Sequence, residues 1–302
     1  MSRATDASQS HKPLAAARRT PITFAAEGAT LRGTLWEPGA GEPRAGCVIH
    51  AATAVPTGLY DAFANYLTEH SFAVLCYAYR GTGRSGEAAR RPEARVRDWA
   101  LTDAPAATAE LARLLPGLPL VAVGHSLGGQ TLVLGSGGDQ LRAQALVASH
   151  LAVTANIPDP HERAQVAHLL DDLLPALAEG HGFVPGNLSG LGEDLPAGAA
   201  LEWGTWSRLP NYFCDVPELL ASQRAAALRG PVLAIGVSDD PWATPEQLTA
   251  LLEPVTGAEV TRWTLAPADA GVEGIGHFGY FRRRVGTAAW PKLADWLISQ
   301  VV

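Results

Sequence analysis

The chain has little of several things, and each shortage narrows what it can be. Its 302 residues contain only 3 cysteines, at positions 47, 76 and 214, and the first two sit inside apolar runs. Thiols so placed behave as small buried hydrophobes, so a reducing compartment is expected rather than a disulfide framework. No C-x-x-C or H-E-x-x-H occurs, and His161 and His168 do not stand at zinc-ligand spacing, so no metal is expected. Apolar runs stay well below membrane length, and residues 1–20 lack the apolar segment of a signal peptide. These absences predict a cytoplasmic protein with no membrane partner and a flexible N-terminal tail over 1–20. Positive charge is also scarce: 23 Lys and Arg against 30 Asp and Glu leave a net charge of -7. The arginines are scattered rather than striped, which argues against nucleic acid as a partner.

What remains is a globular balance, 47% apolar and 18% charged, long enough for one large core. Residues 21–37 alternate apolar and polar around Glu27-Gly28, the pattern of an antiparallel hairpin. Continuous apolar runs follow at 45–51, 72–79, 118–126, 143–149 and 231–237, with "AEVTRWTLA" at 258–266. Between them lie helical stripes, such as Tyr60, Phe63, Ala64 and Leu67. Buried strands alternating with helices predict an α/β fold with a mostly parallel sheet covered on both faces. The alternation breaks over 151–215, which contains helix-like text at 166–177, an aromatic stretch and no buried strand. The expected division is therefore a core of 21–150 and 216–302 with an inserted cap at 151–215.

"CYAYRGTGRSG" at 76–86 contains G-x-G-x-x-G after a strand, the spelling of a dinucleotide loop. A dinucleotide loop must open a helix directly and be followed by an acid near the end of the next strand. Here "EAARRPEARVRDW" follows, and the next strand ends in Ser126. The glycines predict a tight, flexible strand exit at the rim of a site, with no cofactor bound.

Gly124-His125-Ser126-Leu127-Gly128 fits G-x-S-x-G between a buried strand and a helix. A serine on that turn sits on strained backbone with its hydroxyl above the sheet, and the next amide points at a developing oxyanion. Such a serine needs a base, and the base an orienting acid, in the chain order Ser, Asp, His. Asp239 and Asp240 follow the strand at 231–237, and His277 is the one histidine downstream of them. Asp239, three residues after Gly236, is the expected acid; Asp240 is the alternative, or a loop cap. Thr244, Pro245 and Gln247 mark a helix start just beyond. Trp203 and Trp206 in the cap, with Trp242 after the acids, are candidates for an acyl-binding wall or for pins that hold the cap to the core.

GHSLGG at 124–129, GVSDD at 236–240, GHFG at 276–279 and YRGTGRSG at 79–86 together resemble the α/β-hydrolase superfamily. Within it, "FVPGNLSGLGEDLP", "EWGTWSRLPNYF", "DDPWATP" and "GHFGYFR" are similar to a bacterial group of predicted serine hydrolases. The resemblance implies an eight-stranded, mostly parallel sheet, a mainly helical cap after strand six, a Ser126-Asp239-His277 triad and no cofactor. It also implies an oxyanion hole formed by the amide of Leu127 and a second amide near Ala52. The usual His-Gly after strand three is His50-Ala51-Ala52-Thr53, so that second amide belongs to Ala52 or Thr53, and Ala78 stands where an acid is usual. The expected activity is hydrolysis of a carboxylic ester or thioester, with a small acyl compound as partner. Acyl transfer by the same triad, or binding without catalysis on the same scaffold, are the alternatives.

Overall fold

In the computed structural model of the chain, residues 16–135 and 137–302 are described. The expected tail therefore lies outside the described residues up to position 15, and regular structure begins at Arg18, inside the stretch expected to be loose. β1 (Arg18–Ala26) and β2 (Ala29–Glu37) form the predicted hairpin. β3 (Ala45–His50), β4 (Phe72–Tyr77) and β5 (Leu120–His125) are buried at every residue, as strands covered on both faces must be. β6 (Leu141–Val147), β9 (Pro231–Val237) and β10 (Glu259–Leu265) complete an eight-stranded sheet in the order β1-β2-β4-β3-β5-β6-β9-β10. Pairing is antiparallel from β1 to β4 and parallel from there on.

This order brings the carboxyl ends of β3, β5, β6 and β9 to one edge. His50 pairs with Gly124, and His125 pairs with Val147. Residues 50–53, 126, 149–150 and 238–240 therefore emerge side by side, the place where open α/β sheets build their sites.

Between β6 and β9 the chain is mainly helical. Asp159 caps the helix Pro160–His168 through the amides of His161 and Glu162. A π turn at Leu169–Leu173 joins it to the helix Leu174–His181, and a third helix spans Ala197–Ser207. The segment also contains a short antiparallel pair, β7 (Phe183–Val184) with β8 (Leu195–Pro196), where no strand was expected. Two-residue strands leave no periodicity to read. Among the described residues no helix is long and apolar enough to cross a membrane.

The glycine-rich exit after β4 is tied down rather than loose. Gly81, Gly83 and Gly86 have φ of 73, 45 and 125°, values that favour glycine. Arg80 is clamped by buried Asp103 through its backbone amide and its guanidinium, at 2.7–2.9 Å. Ser85 Oγ donates to the Ala78 carbonyl (2.7 Å) and accepts from the Arg32 amide (2.8 Å). These bonds correct the expectation of a flexible exit.

The seven-residue helix Leu127–Val133 is buried along its whole length against the sheet. It can approach because its first turn carries no side chain at 128: a Cβ on Gly128 would stand 2.0 Å from the His50 carbonyl oxygen. Gly128→Ala is thus expected to lower the unfolding free energy by about 1–3 kcal/mol or more, the range for overpacking a core. Urea titration of the two proteins measures this; equal midpoints would refute the close approach.

Candidate active site

Ser126 ends β5 with φ 51° and ψ -112°, a backbone conformation rarely tolerated outside glycine. Its amide donates to Val147 of the neighbouring strand at 3.0 Å, which holds the turn. Ser126 Oγ lies 2.9 Å from His277 Nε2, and His277 Nδ1 lies 2.7 Å from Asp240 Oδ2. Asp240 Oδ1 accepts the amides of Trp242 (2.9 Å) and Ala243 (3.0 Å). Burial pushes the Asp240 carboxyl up, but the charge and hydrogen bond of His277 and the Ala243 amide outweigh it and hold the group at about 2. An ionised carboxylate only accepts, so Nδ1 carries the hydrogen and Nε2 is left as the acceptor for the serine hydroxyl.

The carboxylate that faces His277 is Asp240, not the expected Asp239. The turn after β9 leaves Asp239 exposed and buries Asp240. The Asp239 carboxylate instead accepts the amides of Ile275 (2.8 Å) and Gly276 (3.1 Å), fixing the loop that carries His277. The two readings of Asp240, triad acid and loop cap, are geometrically compatible, because Oδ2 faces His277 while Oδ1 accepts the amides of the turn. Spacing from Gly236 could not separate neighbouring acids; the Asx-turn text Asp-Pro-Trp-Ala was the better signal.

The other expected residues divide. Leu127 follows the serine, and among the described residues nothing accepts its amide hydrogen. The same is true of Thr53. The Ala52 amide, expected as the second oxyanion donor, donates to Tyr60 Oη at 2.9 Å and is occupied. Trp203 and Trp242 line the cavity over Ser126, with the Trp242 ring 4.8 Å from that of His277. Trp206 does not: it is buried against Tyr212 and Phe213 and beneath the Arg97 guanidinium. Trp203 thus stands in the cavity wall, whereas Trp206 packs within the inserted segment and under Arg97 of the core.

Sequence reasoning missed a relay behind the serine. His125 Nε2 is 2.9 Å from the His277 carbonyl oxygen, which can only accept, so Nε2 bears the hydrogen. Nδ1 must then accept from Tyr60 Oη, 2.9 Å away, leaving the Tyr60 oxygen to accept from Ala52. Three loops are joined in one direction. The signal was His125 itself, a polar side chain inside a buried strand end.

The cavity has a volume of about 90 Å³ and walls built mainly from Val153, Ile157, Val166, Leu169, Leu170 and Phe278. Histidines around it are buried. Burial lowers His50 and His125 to about 3 and His150 to about 4, with His277 adding to the shift of the last two. Each imidazole protonates near 6.5 once unfolded, so the unfolded chain holds more protons between that pH and the folded values. Stability must therefore fall as pH drops through this window, by up to about 1.4 kcal/mol per unit for each histidine. The Asp240 contribution persists until lower pH, because its folded value is depressed. Urea midpoints at pH 7.5, 6 and 5 are expected to fall in that order; a constant midpoint would show these imidazoles charged and paired.

Comparison with known proteins agrees with the fold. Residues 41–262 match the family described as serine aminopeptidase, S33. No curated protein sequence matches the chain. Among solved structures, an esterase of Pyrococcus furiosus is similar, with TM-score 0.63 and 13% identity over 94% of this chain and 92% of that one. A soluble variant of monoglyceride lipase from Saccharomyces cerevisiae, in complex with a substrate analogue, gives TM-score 0.63 and 13% identity over 94% and 96%. Acylaminoacyl peptidase of Pyrococcus horikoshii gives 0.61 and 14% over 95% of this chain and 42% of that one. With the family match spanning most of the sequence, the chain belongs to the S33 serine aminopeptidase family of the α/β-hydrolase superfamily.

Proposed function

We propose that the protein is a serine hydrolase that cleaves a short-chain carboxylic ester or thioester through an acyl-enzyme intermediate. The observation that carries this reading is the directed chain Asp240–His277–Ser126, ending at the floor of an apolar cavity. Ser126 Oγ attacks the acyl carbon as His277 Nε2 takes its proton, and Asp240 stabilises the imidazolium that forms. The amides of Leu127 and Thr53, both unclaimed, receive the negative oxygen; Leu127 opens a helix, whose dipole adds to the effect. His277 then returns the proton to the leaving group and activates water for the second half.

An aminopeptidase must hold a free ammonium, and that calls for a carboxylate in the pocket. The residues lining the cavity include none. The serine nucleophile also sets aside haloalkane and epoxide chemistry, which in this superfamily uses an aspartate. Residues 151–215 act as a cap: Val153, Ile157, Val166, Leu169, Leu170 and Trp203 close the cavity from that side. A volume of about 90 Å³ is smaller than the roughly 150 Å³ of a cavity that holds benzene, which suits an acyl group of a few carbons.

Incubation with a fluorophosphonate followed by intact-mass measurement is expected to give one adduct on the protein and none on Ser126→Ala; equal adducts on both would refute the mechanism. Asp240→Asn is expected to reduce kcat by roughly 10³–10⁴-fold, as loss of a triad acid does, while Asp239→Asn changes it by less than about 10-fold. The reverse ranking would return the acid role to Asp239. Across p-nitrophenyl esters, kcat/KM is expected to be at least about tenfold higher for butanoate than for dodecanoate, since the longer chain must displace the cap residues; a rising series would show a larger pocket.

A further inference from the structure

Of the polar side chains that line the cavity outside the serine, histidine and aspartate chain, Gln130 and His150 carry buried polar atoms with nothing hydrogen-bonded to them. Gln130 stands one turn along the helix after Ser126, and His150 lies just past β6. Both are more than nine-tenths buried, at 3% and 8% exposure. Gln130 Nε2 donates to the His150 carbonyl oxygen at 2.8 Å. That oxygen can only accept, so the amide is fixed with its nitrogen toward it and Oε1 turned away. Gln130 Oε1 and His150 Nδ1 are both buried and meet no partner in hydrogen-bond geometry among the described residues, the nearby Ala148 backbone acting only weakly on the His150 ring. A buried acceptor left unpaired is destabilising, and a ligand donor that reaches it removes that cost.

Most of the remaining wall is apolar and Gln247 is engaged with Val153 and Trp242, so Gln130 Oε1 and His150 Nδ1, together with the unpartnered Ser207 Oγ, are the points at which the cavity can distinguish one small acyl group from another. We propose that the cavity selects acyl groups that carry a hydroxyl within a few carbons of the scissile carbonyl, a specificity that rests on the hydrolase reading above. A hydroxyl fits better than other donors. Its hydrogen serves Gln130 Oε1, and its oxygen and hydrogen between them can match His150 Nδ1 in either tautomer. An ammonium is disfavoured because no carboxylate lines the cavity. The short reach follows from the volume: the donor must lie among the few heavy atoms that the space accepts.

The test compares methyl butanoate with methyl 2-hydroxybutanoate and methyl 3-hydroxybutanoate, following acid release by pH-stat and dividing each rate by that with hydroxide alone. At least one hydroxy ester is expected to exceed the plain ester by about tenfold or more in kcat/KM, equivalent to about 1.4 kcal/mol. In Gln130→Leu the ratio should fall to within about twofold of one. The ratio is taken on a single preparation, so it does not depend on how much of a variant folds. A ratio near one in the parent overturns the inference, as does a high ratio unchanged by both Gln130→Leu and His150→Phe. Fluorophosphonate labelling of the parent separates the two readings: Ser126 labelled with no hydroxyl preference removes only the specificity, whereas an unlabelled Ser126 removes the hydrolase reading and the specificity with it.

Discussion

The turn at Ser126 depends on the absence of side chains at two positions. Its φ of 51° is strained, and conformations of that kind cost about 1–3 kcal/mol unless the surroundings impose them. Here the imposition is steric. A Cβ at Gly124 would stand 2.4 Å from the Gly128 carbonyl, and one at Gly128 would stand 2.0 Å from that of His50. Strand, turn and helix are therefore locked face to face, and the end of β3 is pressed against the first turn of the helix. Because of that contact the Leu127 amide and the loop at 51–53 border the same cavity as Ser126. The position of Ser126 is a consequence of how closely three backbones pack in the centre of a sheet buried on both faces.

Hydrogen bonds extend this constraint outward. The relay from Ala52 through Tyr60 and His125 to the His277 carbonyl has one permitted direction, so each group's proton is fixed by its neighbour. On the other side, Asp239 holds the same histidine loop through two amides. The segment between β6 and β9 is joined to this machinery at Trp242, whose indole donates to Glu162 at 2.6 Å and whose amide donates to Asp240. A second tie, Arg97 to Glu202, lies at the far side, where Glu202 is almost wholly buried. A buried carboxylate so paired is costly to separate, which makes that tie the firmer of the two.

Much of this could be read from the sequence, and the rest fails for identifiable reasons. Strand runs such as 45–50 and 72–77 are legible because burial on both faces removes polar residues altogether. Ser126 and His277 are legible because a strained turn and a glycine-flanked loop leave few residue choices around them. Asp239 and Asp240 are adjacent, and which carboxylate turns inward depends on where the β9 ladder ends, a property of the pairing with β10 through Ser238 rather than of the local text. Ala52 was a reasonable donor by position, but Tyr60, eight residues on, takes its amide. Trp203 and Trp206 share a helix and, three residues apart, lie only about 60° around it, yet one lines the cavity and the other packs on Tyr212 and Phe213, a split set by what lies against that face. No pattern within a single segment carries that information.

The electrostatics of the site follow from one quantity acting with opposite sign on two kinds of group. Burial raises a carboxyl and lowers an imidazole, since both lose hydration of the charged form. Asp240 escapes neutralisation because its two oxygens receive one imidazole hydrogen and two amides. His50, His125 and His150 have no carboxylate bonded to them, so they stay neutral at ordinary pH. The result is a site with a single fixed charge. In the proposed reaction, when a proton moves from Ser126 to His277, the imidazolium faces one carboxylate at 2.7 Å and no competing cation among these neighbours. Had His150, whose ring lies 5.5 Å from that of His277, been charged as well, it would have shared the field of Asp240 and opposed the transfer. Keeping the surrounding histidines neutral is thus part of what suits the one beside the serine to the base role proposed for it.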